Sequence, residues 1–153
     1  MRTRTILASL MVLFAGIALA SASDPNMGTW KLNEAKSKLA TAAKNHTVVY
    51  AAAGDMVKVT VDGVDKDGKA VHNEWTGKFD GKDYPVTGDP TSDMRAYKKA
   101  ADGTLDMTIK KGGKVTVTGT IKVSADGKTR TVNATGTDAA GKTITNVGVY
   151  DRQ

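Results

Sequence analysis

Side chains that could support catalysis are few in this chain. It has no cysteine and only two histidines, His46 and His72. Nucleophilic catalysis needs a serine, threonine or cysteine beside a base, and no serine here occupies a Gly-x-Ser-x-Gly turn. His72 alternates with the apolar residues of its segment, which favours an exposed strand histidine over a serine–histidine pair. We therefore expect no catalytic residue and predict that the protein is not an enzyme.

A metal site is not indicated either. One segment matches part of a calcium-binding loop, but Gly63 stands where the first acidic ligand should be. The matching residues are Asp65, Asp67, Gly68 and Glu74. No flanking helices are indicated, so an ordinary hairpin turn explains the segment better. We expect neither a metal nor a cofactor.

Short turns and alternating segments predict the elements of the fold. Asp-Gly turns recur at 80–81, 102–103 and 126–127, where glycine supplies positive φ and aspartate hydrogen-bonds its own backbone. Between turns, apolar and polar residues alternate with period two, most clearly from Lys114 to Val123. This pattern predicts an all-β antiparallel up-and-down meander of about nine strands, closing into a barrel or folding into a sandwich.

Two stretches depart from the strand pattern. Residues 33–43 favour a short helix or a loop after the first strand, with Asn33 as its N-cap. Residues 84–90 contain two prolines and a glycine, which break a strand ladder. We expect the second stretch to be a loop or a sheet edge near the middle of the meander.

The first residues have the pattern of an export signal. Arg2 and Arg4 precede an apolar stretch at 6–19, followed by small residues suited to cleavage. We predict a cleavable signal peptide at 1–22 and a single domain at 23–153. The mature protein is then periplasmic or secreted, without stable membrane insertion after cleavage, because no later segment is apolar enough to span a bilayer.

The charge balance disfavours a nucleic-acid partner. The formal net charge is +6, and Arg2 and Arg4 of the predicted signal contribute to it. The lysines lie mostly in turns, whereas nucleic-acid binding needs clustered basic residues interleaved with aromatics. With only two tryptophans, two phenylalanines and four tyrosines, the chain lacks such a pattern.

The inward-facing positions leave two interpretations of the interior open. Large apolar residues alternate with glycines at 77, 119, 136 and 148. Small inward residues can leave a cavity for a ligand, or they can mark bends and accommodate large neighbours in a filled core. If a cavity exists, we expect its lining to include Tyr50, Trp75, Phe79 and Met107. Arg95 and Tyr97 share a face opposite to Met94 and Ala96, so only one of these pairs can face inward.

The order of elements resembles the lipocalin and fatty-acid-binding superfamily. Gly28-Thr29-Trp30 opens the first strand, and a meander follows a short helical segment. This resemblance implies a small ligand-carrying barrel, in which Trp30 closes the bottom and stacks against an arginine of the last strand, here Arg152. A two-helix lid, the Arg-x-Tyr order near the C-terminus and the lipocalin disulfide are missing.

The mature chain is also similar to small exported bacterial proteins of unknown function. The similarity lies in Gly28-Thr29-Trp30-Lys31-Leu32-Asn33, Ala35-Lys36-Ser37-Lys38, Phe79-Asp80-Gly81-Lys82, Tyr84-Pro85-Val86-Thr87-Gly88 and Val149-Tyr150-Asp151. This similarity implies no activity. Two functions remain as predictions: an exported barrel that binds a small apolar or amphipathic ligand, and a ligand-free structural or interaction domain of the bacterial envelope. The second would use a strand edge or a surface around 84–90.

Replacing Trp30 with alanine tests the Gly-x-Trp interpretation. If the indole is buried, the free energy of unfolding should fall by about 3–5 kcal/mol, as it does for other aromatic-to-alanine changes in cores. Chemical denaturation of the two proteins measures the difference. A loss below about 1 kcal/mol would contradict a closing role for this side chain.

Overall fold

The computed structural model describes residues 23–138 and 140–153, which form a closed barrel of ten antiparallel strands. The strands are β1 (Gly28–Leu32), β2 (Lys44–Ala53), β3 (Met56–Val64), β4 (Ala70–Gly77), β5 (Tyr84–Thr87), β6 (Met94–Lys99), β7 (Leu105–Lys111), β8 (Lys114–Val123), β9 (Thr129–Thr137) and β10 (Thr143–Arg152). Each pairs with its neighbours in sequence, and β1 also pairs with β10. The predicted all-β meander is confirmed, and it closes into a barrel.

The predicted signal peptide at 1–22 lies outside the described residues. The described chain starts with a short segment before β1, and this segment is tied to the barrel by Asp24. Its carboxylate lies 2.6 Å from Nζ of Lys99 at the end of β6. Within 23–138 and 140–153, no helix combines the length and the apolar character needed to cross a membrane.

The stretch after β1 contains a single short helical turn. It is a 3₁₀ helix at Glu34–Lys36, and the Asn33 side chain accepts a hydrogen bond from the Lys36 N–H at 3.2 Å. The chain then runs along β10, where Lys38 pairs with Val147 through backbone hydrogen bonds of 2.8 Å. The expected short helix or loop is therefore present, and it is fastened to the last strand.

The stretch at 84–90 differs from its prediction, because its first half is the strand β5. This strand pairs with β4 and with β6 through two residue pairs on each side. Pro85 lacks an N–H and its side chain is exposed, so it fits a short strand with few ladder bonds. Val86 points inward and is buried. β5 raises the number of strands to ten, where the sequence indicated about nine.

The core lies inside the barrel because alternate residues face inward. On β8, Ile121 is 1% exposed, whereas its neighbours Thr120 and Lys122 are exposed. Buried apolar residues from nearly every strand meet in the interior. They include Trp30, Val48, Val59, Val61, Trp75, Val86, Leu105, Met107, Ile121 and Tyr150.

One end of the barrel, which we call the sealed end, is closed by Trp30 and Arg152. The Trp30 side chain is fully buried, and its Nε1 donates to the Asn26 carbonyl at 2.8 Å. The Arg152 guanidinium carbon lies 4.2 Å from the centre of the Trp30 ring, which is a cation–π contact. Gly28 has φ of +112°, which favours glycine, and a Cβ there would lie 2.8 Å from Arg152 Nη1, so a larger residue would also displace the guanidinium.

The Arg152 side chain also donates to three carbonyls in two chain segments at the sealed end. Its Nη1 and Nη2 donate to the carbonyls of Met27 and Pro25 at 2.5 and 2.6 Å. Its Nε donates to the Gly127 carbonyl in the β8–β9 turn at 2.6 Å. The segment before β1 is therefore held across this end by a single guanidinium.

Replacing Arg152 with methionine should destabilise the barrel. The change keeps most of the stem but leaves three carbonyls without their charged donor, and we expect a loss of about 2–4 kcal/mol in the free energy of unfolding. Lys128→Met is the matched control, because it removes a charge from an exposed side chain at the same end. Denaturation curves that shift equally for both variants would contradict the role of Arg152.

Candidate ligand-binding site

A cavity of about 330 Å³ lies inside the barrel. Its lining is apolar and polar in about equal parts, and the apolar part comes mainly from β2, β3, β7, β8 and β9: Val48, Val61, Met107, Ile109, Val117, Ile121, Val132 and Ala134. Segments at one end form what we call the rim: Leu39, Thr41 and Ala43 before β2, and Asp89 and Thr91 between β5 and β6. Because neighbouring strands alternate in direction, these segments lie opposite the sealed end.

The floor of the cavity carries a buried arginine surrounded by aromatic rings. Arg130 is the second residue of β9, directly after the β8–β9 turn that Arg152 holds at the sealed end. Its side chain is buried, with 3% of the residue exposed. The guanidinium carbon lies 4.7, 5.3 and 5.8 Å from the ring centres of Tyr50, Tyr150 and Trp30. These cation–π contacts stabilise the charge in part.

Three buried polar atoms at this floor lack hydrogen-bond partners among the described residues. Nε and Nη1 of Arg130 have no hydrogen-bond acceptor among the described residues, and neither does the Tyr50 hydroxyl. Burial raises the pKa of Tyr50, so this hydroxyl stays protonated and can donate. Burial likewise raises the pKa of Tyr150. The floor therefore offers unused donors, the N–H groups of Arg130 and the hydroxyl of Tyr50, of which the hydroxyl can also accept.

A second buried arginine, Arg95, lies nearer the rim and has protein partners. Its Nη2 lies 3.4 Å from Asn73 Oδ1 and 3.8 Å from a carboxylate oxygen of Asp89. Burial alone would lower the pKa of Arg95, but Tyr97, Tyr50 and Asp89 outweigh it and raise the value. Arg95 and Tyr97 are thus the pair of their strand that faces inward.

The Asp89 carboxylate is held by its own loop. Ser92 Oγ donates to it at 2.6 Å, and the backbone N–H and hydroxyl of Thr91 donate at 2.8 and 2.7 Å. Burial acts to raise the pKa of Asp89, but these hydrogen bonds and the charge of Arg95 hold it below its ordinary value. The carboxylate therefore stays ionised as the counter-ion of Arg95.

The four residues expected to line a cavity fall into two groups. Tyr50 and Met107 line it, whereas Trp75 and Phe79 lie outside its lining, in an adjoining aromatic cluster. In this cluster the Trp75 ring centre lies 4.8 Å from that of Tyr97 and 6.4 Å from that of Phe79. The interior is therefore partly a filled core and partly a cavity, because aromatic rings fill one side of it and the other side is hollow.

Gly77 explains the tight packing of this cluster. A Cβ at this position would lie 2.5 Å from the Tyr84 ring and 2.6 Å from the Trp75 ring. The missing side chain lets the two rings meet edge to face, with centres 5.7 Å apart. Gly77 therefore contributes to a filled region, although small inward residues had also been compatible with a cavity.

Sequence reasoning did not select the two buried arginines as site residues. A signal was present for Arg130, which alternates in phase with Val132, Ala134 and Gly136 and so shares their inward face. A charged residue in such a row is easily assigned to the strand end and to solvent. Arg95 was named only together with Tyr97, as one of two alternative residue pairs of its strand that could face inward.

The residues considered for catalysis or metal binding lie elsewhere. The His72 side chain is 55% exposed on the outer surface, and its Nδ1 lies 2.6 Å from an Asp62 carboxylate oxygen. The hydrogen bond to Asp62 raises the pKa of His72. Across residues 23–138 and 140–153, no group of three or more His, Cys, Asp or Glu side chains is placed to hold a metal ion.

Replacing Asp89 with asparagine should produce a pH-dependent loss of stability. The folded pKa of Asp89 is lowered, so its contribution is fully present above the unfolded value of about 3.9 and is lost as the pH falls through the folded value. We expect the variant to lose about 1–3 kcal/mol at pH 7 and progressively less below about pH 4. Denaturation at several pH values measures this.

The matched control is Asp106→Asn, which changes the same charge on an exposed outer position. Its effect on stability should be small at every pH. A stability difference between the wild type and Asp89→Asn that stays constant from pH 7 to pH 3 would contradict the role of the ionised carboxylate.

Comparison with known proteins gives no family for this chain. No protein-family model matches it, and no match to a curated protein is found. The part of the lipocalin-like resemblance that the structure supports is therefore the closed antiparallel barrel. Any function has to be argued from the cavity and the side chains that surround it.

Proposed function

We propose that this protein is an exported, non-enzymatic barrel that binds one small amphipathic molecule in its interior. The observation that carries the proposal is the 330 Å³ cavity, which combines apolar wall residues with buried polar groups at its floor and further polar residues toward the rim. Ligand pockets in proteins typically measure about 300–1,000 Å³ and combine an apolar lining with a few placed polar groups. The cavity lies near the lower limit, so the ligand is small.

The walls and the two ends suit a molecule that enters from the rim. Met107, Ile121 and Val132 offer apolar surface, and removing such surface from water contributes about 25 cal/mol per Å². The sealed end is blocked by Trp30 and Arg152, whereas the rim is built from loop segments. An apolar tail along the walls and a polar group at the floor would therefore match the lining.

The titratable groups around the cavity support binding rather than catalysis. General acid–base catalysis works best with groups whose pKa lies near the working pH. The raised pKa values of Tyr50 and Tyr150 keep both hydroxyls protonated, and the lowered pKa of Asp89 keeps its carboxylate ionised. None of these three groups is suited to exchange a proton at neutral pH.

Export is the part of the proposal that rests on sequence. The basic, apolar and small-residue pattern of 1–22 is typical of a cleavable signal. A chain without cysteine needs no disulfide to fold after export. The carrier would therefore act in the periplasm or outside the cell.

Filling the cavity tests ligand binding. Ala134 lines the cavity, and Ala134→Phe would place a ring in it; Asn133→Phe places the same ring on the exposed outer face of β9. With the neutral fluorescent probe N-phenyl-1-naphthylamine, we expect Ala134→Phe to weaken binding by about tenfold or more, equivalent to about 1.4 kcal/mol. The control variant should bind as the wild type does.

Native mass spectrometry of the mature protein, purified from its own envelope without detergent, gives an independent measurement. A bound mass that is lost on organic extraction would identify the natural ligand. A wild type that binds no probe and yields a clean apo mass would instead favour the ligand-free structural or interaction domain. Melting curves of both variants would show whether each one is folded.

A further inference from the structure

The positive charge of Arg130 is buried without an anion among the described residues. It is 3% exposed, and two of its three nitrogens have no hydrogen-bond partner. Buried charges in proteins are normally paired and hydrogen-bonded, because losing their hydration is costly. Arg130 therefore differs from the arginines that the protein uses for structure.

The surrounding rings compensate the charge only in part. Tyr50, Tyr150 and Trp30 contact the guanidinium at 4.7–5.8 Å and attract it through their π electrons. Aromatic rings are weak acceptors for N–H groups, so Nε and Nη1 remain without strong hydrogen bonds. The cage therefore holds the guanidinium in place and leaves donors for another group.

Arg95 shows how the same barrel pairs a buried arginine with a carboxylate, although the Nε of Arg95 also lacks a hydrogen-bond partner. It is 5% exposed, close to the value for Arg130, but Asp89 and Asn73 face its Nη2. An incoming anion would have to compete with the Asp89 carboxylate for Arg95. At Arg130 no such competitor is present among the described residues.

We propose that Arg130 binds the anionic group of an amphipathic ligand at the floor of the cavity, together with the Tyr50 hydroxyl. This inference rests on the proposed function, and it specifies the chemical class of the ligand as an anionic amphipathic molecule. The Tyr50 ring lies against the guanidinium, and the Tyr50 hydroxyl, although it interacts with Tyr97, makes no hydrogen bond of ordinary geometry. We therefore expect both groups to donate to one oxyanion. Charge-assisted hydrogen bonds of this kind are the stronger ones in proteins.

The charge count favours a monoanion. Arg130 supplies one positive charge, and Arg95 is already paired with Asp89. A carboxylate or a sulfonate would be neutralised at the floor, whereas a phosphate monoester would bring a second charge without compensation. The ligand is thus an organic acid with one ionised group and an apolar body that extends toward the rim.

Two probes that differ in one charged group test the inference. 1-Anilinonaphthalene-8-sulfonate carries a sulfonate, and N-phenyl-1-naphthylamine has the same ring systems without it. Fluorescence titration of the wild type should give tighter binding for the sulfonate. In Arg130→Met we expect the affinity for the sulfonate to fall by about tenfold or more, with the affinity for the neutral probe unchanged or higher. Tyr50→Phe should lower the affinity for the sulfonate probe by a few fold and leave the affinity for the neutral probe unchanged.

Competition adds a measurement that needs no variant. Decanoate should displace the sulfonate probe from the wild type at lower concentration than 1-decanol or decyl phosphate. Equal displacement by decanoate and 1-decanol would overturn the assignment of a monoanion even if Arg130→Met failed to fold.

The outcomes separate this inference from the proposed function. If the wild type binds the neutral probe, and Arg130→Met binds both probes as the wild type does, the cavity is a binding site but Arg130 is not its anion receptor. If the wild type binds neither probe, the proposed function fails and this inference fails with it.

Discussion

The antiparallel pairing of β1 with β10 is the contact on which the rest of the structure depends. Every other pairing joins strands that are neighbours in sequence, whereas this one brings Trp30 opposite Arg152 across almost the whole described chain. Without it the sheet would have two unpaired edges, which favour association with other chains. With it, the inward-facing side chains enclose one interior, and the Trp30–Arg152 contact seals one end.

The enclosed interior is divided by how its side chains fill space. Around Trp75 the rings of Tyr84 and Tyr97 pack edge to face, and Trp75 lies outside the lining of the cavity. Opposite them, branched and small residues cannot reach across the barrel, and a cavity remains. Two arginines lie at its two ends, and the chain neutralises only the one near the rim. The two ends of the cavity therefore differ in whether their buried positive charge is compensated, and this difference would orient an amphipathic ligand.

The period-two alternation was enough to predict the class of fold and the inward faces of most strands. The short helix or loop after β1 was predicted separately, from Asn33 as an N-cap and the helix-favouring residues after it. The alternation failed at β5, because Pro85 lacks an N–H and a strand of four residues leaves almost no periodicity to detect. The cavity could not be predicted, since it depends on the sum of side-chain volumes across the barrel rather than on any one residue. Arg130 was overlooked for a different reason. Alternation placed it inward, but whether a charged side chain stays inside depends on the aromatic cage supplied by β1, β2 and β10.

The short length of β5 has a consequence for motion. The barrel wall is held there by two residue pairs on each side, whereas β9 and β10 share nine. Regions with few backbone hydrogen bonds open at lower free energy than the rest of a domain. The amides around β5 should therefore exchange with solvent before those of β9 and β10. β5 continues directly into the loop that carries Asp89 and Thr91, so the wall is weakest beside the rim of the cavity.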